Sequence, residues 1–239
     1  MNLLESRMTL RNLRIKKLRQ SGFTIVELMI ATAVMSVILL VVSVSMITIG
    51  DLYDKGINQS LVQDNVRSIA DEVSQQLEYN DGFIGPTSTT YGGTTVYAYC
   101  IGSTRYSYVL GQQVVTTVAH VLWRDTNTAA GCVADNLTRT TPSKTGTELI
   151  APGSRLTYFS ITQATSTAPY AINLEIALGS DDKFCNTAVV PGSCAPGTTT
   201  MPAGPAFQGN TVACKAQEGQ EFCATSALNI TVVQRISSS

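Results

Sequence analysis

Charge is scarce in this sequence, and its gaps are informative. Asp, Glu, Lys and Arg make up 14% of the 239 residues, and between Phe23 and Gly50 the only charged side chain is Glu27. No Lys or Arg follows Phe23 until Lys55, so a helix through this stretch has no cation of its own to pair with Glu27. No proline precedes Pro86, which leaves the first third of the chain without a helix breaker. There is one histidine, His120, and no CxxC, a pattern that argues against a zinc site. No GxSxG elbow and no glycine-rich phosphate loop occur, so the nucleophile and phosphate chemistries those motifs carry have no support. No internal repeat stands out. Of sixteen Lys and Arg, six precede Phe23; the remaining ten face sixteen Asp and Glu, a formal charge of −6 from Phe23 onward. Such a balance gives no electrostatic basis for binding nucleic acid.

The six early basic residues are Arg7, Arg11, Arg14, Lys16, Lys17 and Arg19, with Glu5 the only acid among them. They precede "GFTIVELMIATAVMSVILLVVSVSMITIG", residues 22–50. A secretory signal has an apolar region of roughly 7–15 residues before its cleavage site, and this run is much longer. As a helix at ~1.5 Å per residue it reaches ~42 Å, beyond the ~30 Å of bilayer hydrocarbon. The basic flank on one side and Asp51 and Asp54 on the other orient it with the N-terminus cytoplasmic and everything after residue 50 outside. An acid at the centre of such a helix costs ~2.5–3.5 kcal/mol on insertion scales. Near the interface the cost falls, so Glu27 is either a tolerated interfacial acid or a group awaiting a cation. An α-amino group made by cutting after Gly22 would lie one turn away; the amine of another copy would serve equally.

Past the apolar run the periodicity predicts that the helix continues. Leu52, Ile57, Leu61, Val62, Val66, Ile69, Ala70, Val73 and Leu77 keep to one face, with Asp64, Arg67, Asp71, Glu72 and Glu78 turned to solvent. The helix, roughly 55 residues long by this pattern, ends near "YNDGFIGP", residues 79–86. Beyond residue 86 the signal is β: strands are expected at 94–102, 105–111, 114–124, 154–163, 170–179 and 227–236, with a hairpin turning at "GQQ" between the second and third. Tyr97, Tyr99, Tyr106, Tyr108 and Trp123 alternate as residues of a sheet face do. The expected fold is α+β: a long N-terminal helix, half membrane and half amphipathic, whose second half covers an antiparallel sheet. The corresponding divisions are 1–22, 23–50, 51–80 and 81–239.

All six cysteines, Cys100, Cys132, Cys185, Cys194, Cys214 and Cys223, lie on the exported side and none in the anchor, which reads as disulfides. The equal spacings of Cys185 to Cys194 and Cys214 to Cys223 suggest local pairs, leaving Cys100 with Cys132. A nested arrangement, Cys185 with Cys223 around Cys194 with Cys214, remains open. The Gly-, Pro- and Thr-rich stretch 180–225 reads as an irregular loop held by disulfides rather than by a core of its own.

"GFTIVELMIA" after a short basic leader resembles the type III signal sequence of type IV pilins and type II secretion pseudopilins. The resemblance is close over residues 16–50, extends to about residue 80 as a shared pattern, and beyond that is one of architecture. It implies that a prepilin peptidase cuts between Gly22 and Phe23 and that Phe23 becomes N-methylated; removing 22 residues from 239 leaves a mature chain of 217. It also implies that Glu27 meets the N-terminal amine of a neighbouring subunit during assembly. Implied partners are the peptidase, other pilin or pseudopilin subunits, the membrane and the assembly machinery, with no cofactor, metal or catalytic residue. Many major pilins carry a helix-kinking proline that is missing here. The large domain and its cysteine-rich loop resemble the bigger minor pilins and pseudopilins, from membrane to pilus or pseudopilus.

Other sites have plainer readings. His120 sits in "TVAHVLWRD" on an expected strand, and although Asp125 and several serines could suggest a triad, it reads as a structural residue. "DTNTAAG", 125–131, begins like a calcium loop but has Ala129 where an acid or amide belongs, and Asp181 and Asp182 read as a solvated turn. An alternative class is a single-span, surface-anchored adhesin or binding domain.

Overall fold

In the computed structural model the described residues are 22–114, 120–127, 131–138, 146–165, 168–180, 183–186, 212–214 and 222–235. Helix α1 runs Ile25–Tyr79, 55 residues, and the chain divides into two units between Ile47 and Thr48.

In the first unit every residue from Gly22 to Ile47 is exposed. Its hydroxyls turn back onto the helix: Thr32 Oγ1 donates to the Met29 carbonyl at 3.0 Å. Ser36, Ser43 and Ser45 each donate to the carbonyl four residues earlier at 2.8 Å. Each hydroxyl therefore has an acceptor without water, as a helix facing hydrocarbon needs. The helix is long and apolar enough to cross a membrane.

Among the described residues the second unit holds three antiparallel sheets. The first has the order β1–β2–β3–β4–β5, built from Phe83–Tyr91, Thr94–Ile101, Thr104–Tyr108, Leu122–Thr126 and Thr147–Glu148. The second has the order β10–β7–β6, from Ala224–Val232, Tyr170–Leu178 and Ser154–Gln163. A two-stranded sheet joins β8 (Phe184–Asn186) to β9 (Val212–Cys214). The expected α+β architecture, a long helix on antiparallel sheet, is what the chain adopts.

The main core lies between the helix and the inner faces of the two larger sheets. Val62, Val66, Ile69, Val73 and Leu77 meet Tyr99, Ile101, Tyr106 and Tyr108 from the first sheet and Leu156, Phe159, Ile172 and Leu174 from the second. Phe83, Tyr99, Tyr108 and Tyr97 form a continuous ring stack with centroids 5.4–5.7 Å apart. At the end of α1, which has no basic residue in its last turn, Arg235 supplies one from the far end of the chain. Its Nε lies 3.2 Å from Glu78 Oε2 and its backbone N–H donates to the Glu78 carbonyl at 3.0 Å, a cation where the helix dipole favours it.

Several local expectations need correction. The buried stripe begins at Val62; Leu52, Ile57 and Leu61 are exposed, and Gln59 Nε2 donates to the Thr225 carbonyl of β10 at 3.1 Å. Glu72 and Glu78 do not face open solvent: both are half-buried, and Glu72 pairs with Arg124 at 2.9 Å. "GQQ" is not a hairpin turn. β3 does pair with β4, but β4 starts at Leu122, and Gly111, Gln113 and Val114 instead bond to Leu156, Arg155 and Ser154 of the other sheet. β1 starts at Phe83, ahead of Pro86. It is an edge strand with a register shift between Ile84 and Thr87, where a proline costs no ladder hydrogen bond. Gly85 has φ 140°, and a Cβ there would stand 2.8 Å from the Ala98 carbonyl oxygen. The last strand is Ala224–Val232 rather than 227–236.

Candidate functional site at the helix N-terminus

The helix starts in a reciprocal cap. Thr24 precedes the first helical residue, Ile25, and its carbonyl accepts the Leu28 N–H at 3.2 Å. Thr24 Oγ1 accepts the Glu27 backbone N–H at 3.2 Å, while Glu27 Oε2 accepts the Thr24 N–H at 3.3 Å and the Thr24 hydroxyl at 3.4 Å. This is the T-x-x-E capping box, in which two otherwise unpaired helix N–H groups are satisfied by each other's side chains. The signal stood in the sequence as Thr24 and Glu27, and reading Glu27 only for its missing cation overlooked it. The carboxylate also sits where the positive end of the helix dipole favours an anion. Among the described residues Glu27 Oε1 accepts no hydrogen bond, and Phe23 beside the cap is 82% exposed.

Residues 17–43 match the family model of the prokaryotic N-terminal methylation motif. That N-terminal segment is similar to the methylation motif of type IV pilins and pseudopilins. Comparison with curated proteins and with solved structures found no match.

In the second unit, two disulfide-tethered segments cover the sheet faces turned away from the helix. Cys100 on β2 is bonded to Cys132, with Cα atoms 5.7 Å apart. That bond draws segment 131–138 over Val96, Ala98, Val109 and Trp123, which it buries together with Ala134 and Leu137. Hydrogen bonds hold it there: Thr87 Oγ1 to the Cys132 carbonyl at 2.6 Å, Tyr91 OH to the Ala134 carbonyl at 2.8 Å and Arg105 Nη1 to the Val133 carbonyl at 2.8 Å. The second cover is the β8–β9 sheet and its neighbour Cys223, bonded to Cys214. Phe184, Val212 and Cys223 bury Ala177, the Arg155 guanidinium lies 5.2 Å from the Phe184 ring centre, and Glu175 Oε1 accepts the Val212 N–H at 3.1 Å. The described residues Phe184, Val212 and Cys223 of stretch 180–225 thus pack against Ala177 of β7. The Cys214–Cys223 bond excludes the nested pairing; Cys185 with Cys194 falls outside the described residues.

Each cover traps a carboxyl group. Burial pushes the Asp135 carboxyl up, and the nearby Asp125 carboxylate adds to that against the pull of the Asn136 N–H and Arg105. Burial likewise raises Glu175, only partly offset by the Val212 N–H. Asp125 accepts from Arg105 through both carboxylate oxygens, one contact being Nε to Oδ1 at 2.8 Å. The first acid of the "DTNTAAG" stretch is therefore committed to a guanidinium; residues 128–130, and Asp181 and Asp182, are outside the described residues. His120 Nδ1 lies 3.3 Å from Glu148 Oε2, with its ring against Trp123. Glu148 in turn accepts the Val121, Leu122 and Ile150 N–H groups at 2.9–3.2 Å, an arrangement that fixes a strand entry.

Proposed function

We propose that this chain is a structural subunit, a minor pilin or pseudopilin, of a type IV pilus or a related secretion or DNA-uptake fibre. Prepilin peptidase removes residues 1–22 at the Gly22–Phe23 bond, and Phe23 is N-methylated. Residues 23–50 hold the subunit in the membrane until assembly, residues 51–80 carry the exported domain, and residues 81–239 form it. The subunit works by assembly rather than catalysis, and its partners are the peptidase, other pilin or pseudopilin subunits and the assembly machinery. Cys100, Cys132, Cys185, Cys194, Cys214 and Cys223 stabilise the exported part as disulfides.

One observation carries this reading: Glu27 commits Oε2 to the cap while Oε1 accepts no hydrogen bond among the described residues, next to the residue that cleavage would turn into an amine. In a fibre interior the helices of several copies exchange lipid for one another, so apolar burial alone gives no driving force; packing and neutralisation of a dry carboxylate by an amine set the register. Mass spectrometry of the N-terminus of the native protein tests it. N-methyl-Phe23 is the expected start, and Gly22→Leu should leave the leader attached. An intact leader in the native protein would instead support a plain membrane-anchored binding domain.

A further inference from the structure

We propose that Asn136 is an acceptor for N-linked glycan on the exported domain. The inference rests on the export proposed above, since lipid-linked glycans and their transferases face that side of the membrane. The sequence contains three Asn-x-Ser/Thr triplets, Asn58-Gln59-Ser60, Asn136-Leu137-Thr138 and Asn229-Ile230-Thr231, the pattern N-glycosylation requires. The fold treats them differently. Asn58 and Ser60 are in α1, where residues two apart point about 200° from each other, and the Ser60 hydroxyl is directed at Asp64 Oδ2. Asn229 and Thr231 are in β10, in register with Asn173 and Ala171. They lie on one face, but about 6.7 Å apart along the strand.

Only at Asn136 does the chain fold the third residue back on the first. The Thr138 N–H donates to Asn136 Oδ1 at 3.1 Å and the Thr138 hydroxyl to the same oxygen at 2.6 Å. Among the described residues Asn136 Nδ2 donates to no group. Leu137 between them is 1% exposed and anchored in the cluster under the cover, so Thr138 is held outward, exposed. Both hydrogen bonds of the turn are local, joining residues two positions apart.

This arrangement suits the transfer chemically. Two donors on Oδ1 draw charge to the oxygen and make the Nδ2 protons easier to remove. Nδ2 then forms a bond to the anomeric carbon of a polyprenyl-diphosphate-linked sugar, the bond from that carbon to the diphosphate oxygen breaks, and the diphosphate leaves with the electron pair. The proton from Nδ2 goes to a base of the membrane transferase.

The test is peptide mapping of the full chain purified from its own cells. Trypsin releases Asp125–Arg139, which contains Asn136, after reduction and alkylation of Cys132. A glycan mass on this peptide at Asn136 is expected, kept in Thr138→Ser and lost in Thr138→Ala and Asn136→Gln, with Asn58 and Asn229 unmodified. Non-reducing maps of the variants should still show Cys100 joined to Cys132, which separates loss of the acceptor from loss of the cover. An unmodified Asp125–Arg139 peptide, or glycan at Asn58 or Asn229 in its place, overturns the assignment whatever the N-terminus shows. Glycan at Asn136 beside an intact leader would refute the processing reading alone.

Discussion

Glu27 is assigned two tasks, and one pair of substitutions separates them. The first is the cap, in which Oε2 accepts the Thr24 N–H and hydroxyl; losing a cap costs about 0.5–2 kcal/mol. The second is pairing with an amine in a dry fibre interior, and removing one partner of a buried ion pair costs about 3–5 kcal/mol. Glu27→Ala removes both. Glu27→Gln keeps an amide oxygen at the same place, and Gln serves the capping box as Glu does, but it has no charge to give an amine. If the ion pair forms, both variants should lose incorporation by about 10²- to 4 × 10³-fold, since 1.4 kcal/mol is tenfold, while the cap alone would account for about 2–30-fold in Glu27→Ala only. The assay is competitive: a tagged variant is expressed beside the unmodified chain, and the variant fraction in sheared fibres is divided by that in the membrane by quantitative mass spectrometry. Both variants should be present in the membrane and nearly absent from fibres. If Glu27→Gln enters fibres as the unmodified chain does while Glu27→Ala does not, the charge is irrelevant and Glu27 acts only as a cap.

Three further outcomes concern the second unit, each read by unfolding of the full chain in detergent. Leu77→Ala, at a position 1% exposed, should cost about 2–5 kcal/mol, whereas Leu61→Ala, 54% exposed, should stay within about 0.5 kcal/mol; equal effects would place the start of the covered stripe wrongly. Replacing Cys100 and Cys132 by Ala, which opens a separation of 32 residues, should cost about 4 kcal/mol against about 3 for Cys214 and Cys223, separated by 9; a reversed order would show that the covers' contacts outweigh loop closure. Glu175 has its folded pKa raised, so the folded chain binds its proton more tightly than the unfolded chain. That stability is full below the ordinary glutamate range and falls as pH rises through the raised value. Glu175→Gln should therefore flatten the loss of thermal stability between mildly acidic and neutral pH, and an unchanged slope would mean another group sets it.

Local patterns determined what local chemistry can. The apolar run and its single acid, the Thr24–Glu27 spacing of a cap, the stripe from Val62 to Leu77 and the alternation in β6 and β7 all rest on residues a few positions apart. Their geometry follows from the 3.6 and 2-residue periods of helix and strand. Tertiary structure decided what those periods do not encode. The buried apolar stripe starts only at Val62, although Leu52, Ile57 and Leu61 continue the same pattern. β2 is buried on both faces because a segment beginning 30 residues later returns over Val96, Ala98 and Cys100 under the pull of Cys132. Arg105 finds Asp125 because register sets β3 against β4, and Glu175 finds the Val212 N–H because β9 lies over β7. Each of these joins residues 20 or more positions apart, where the energy of a contact depends on how the chain closes over that distance and leaves no periodic trace at either end.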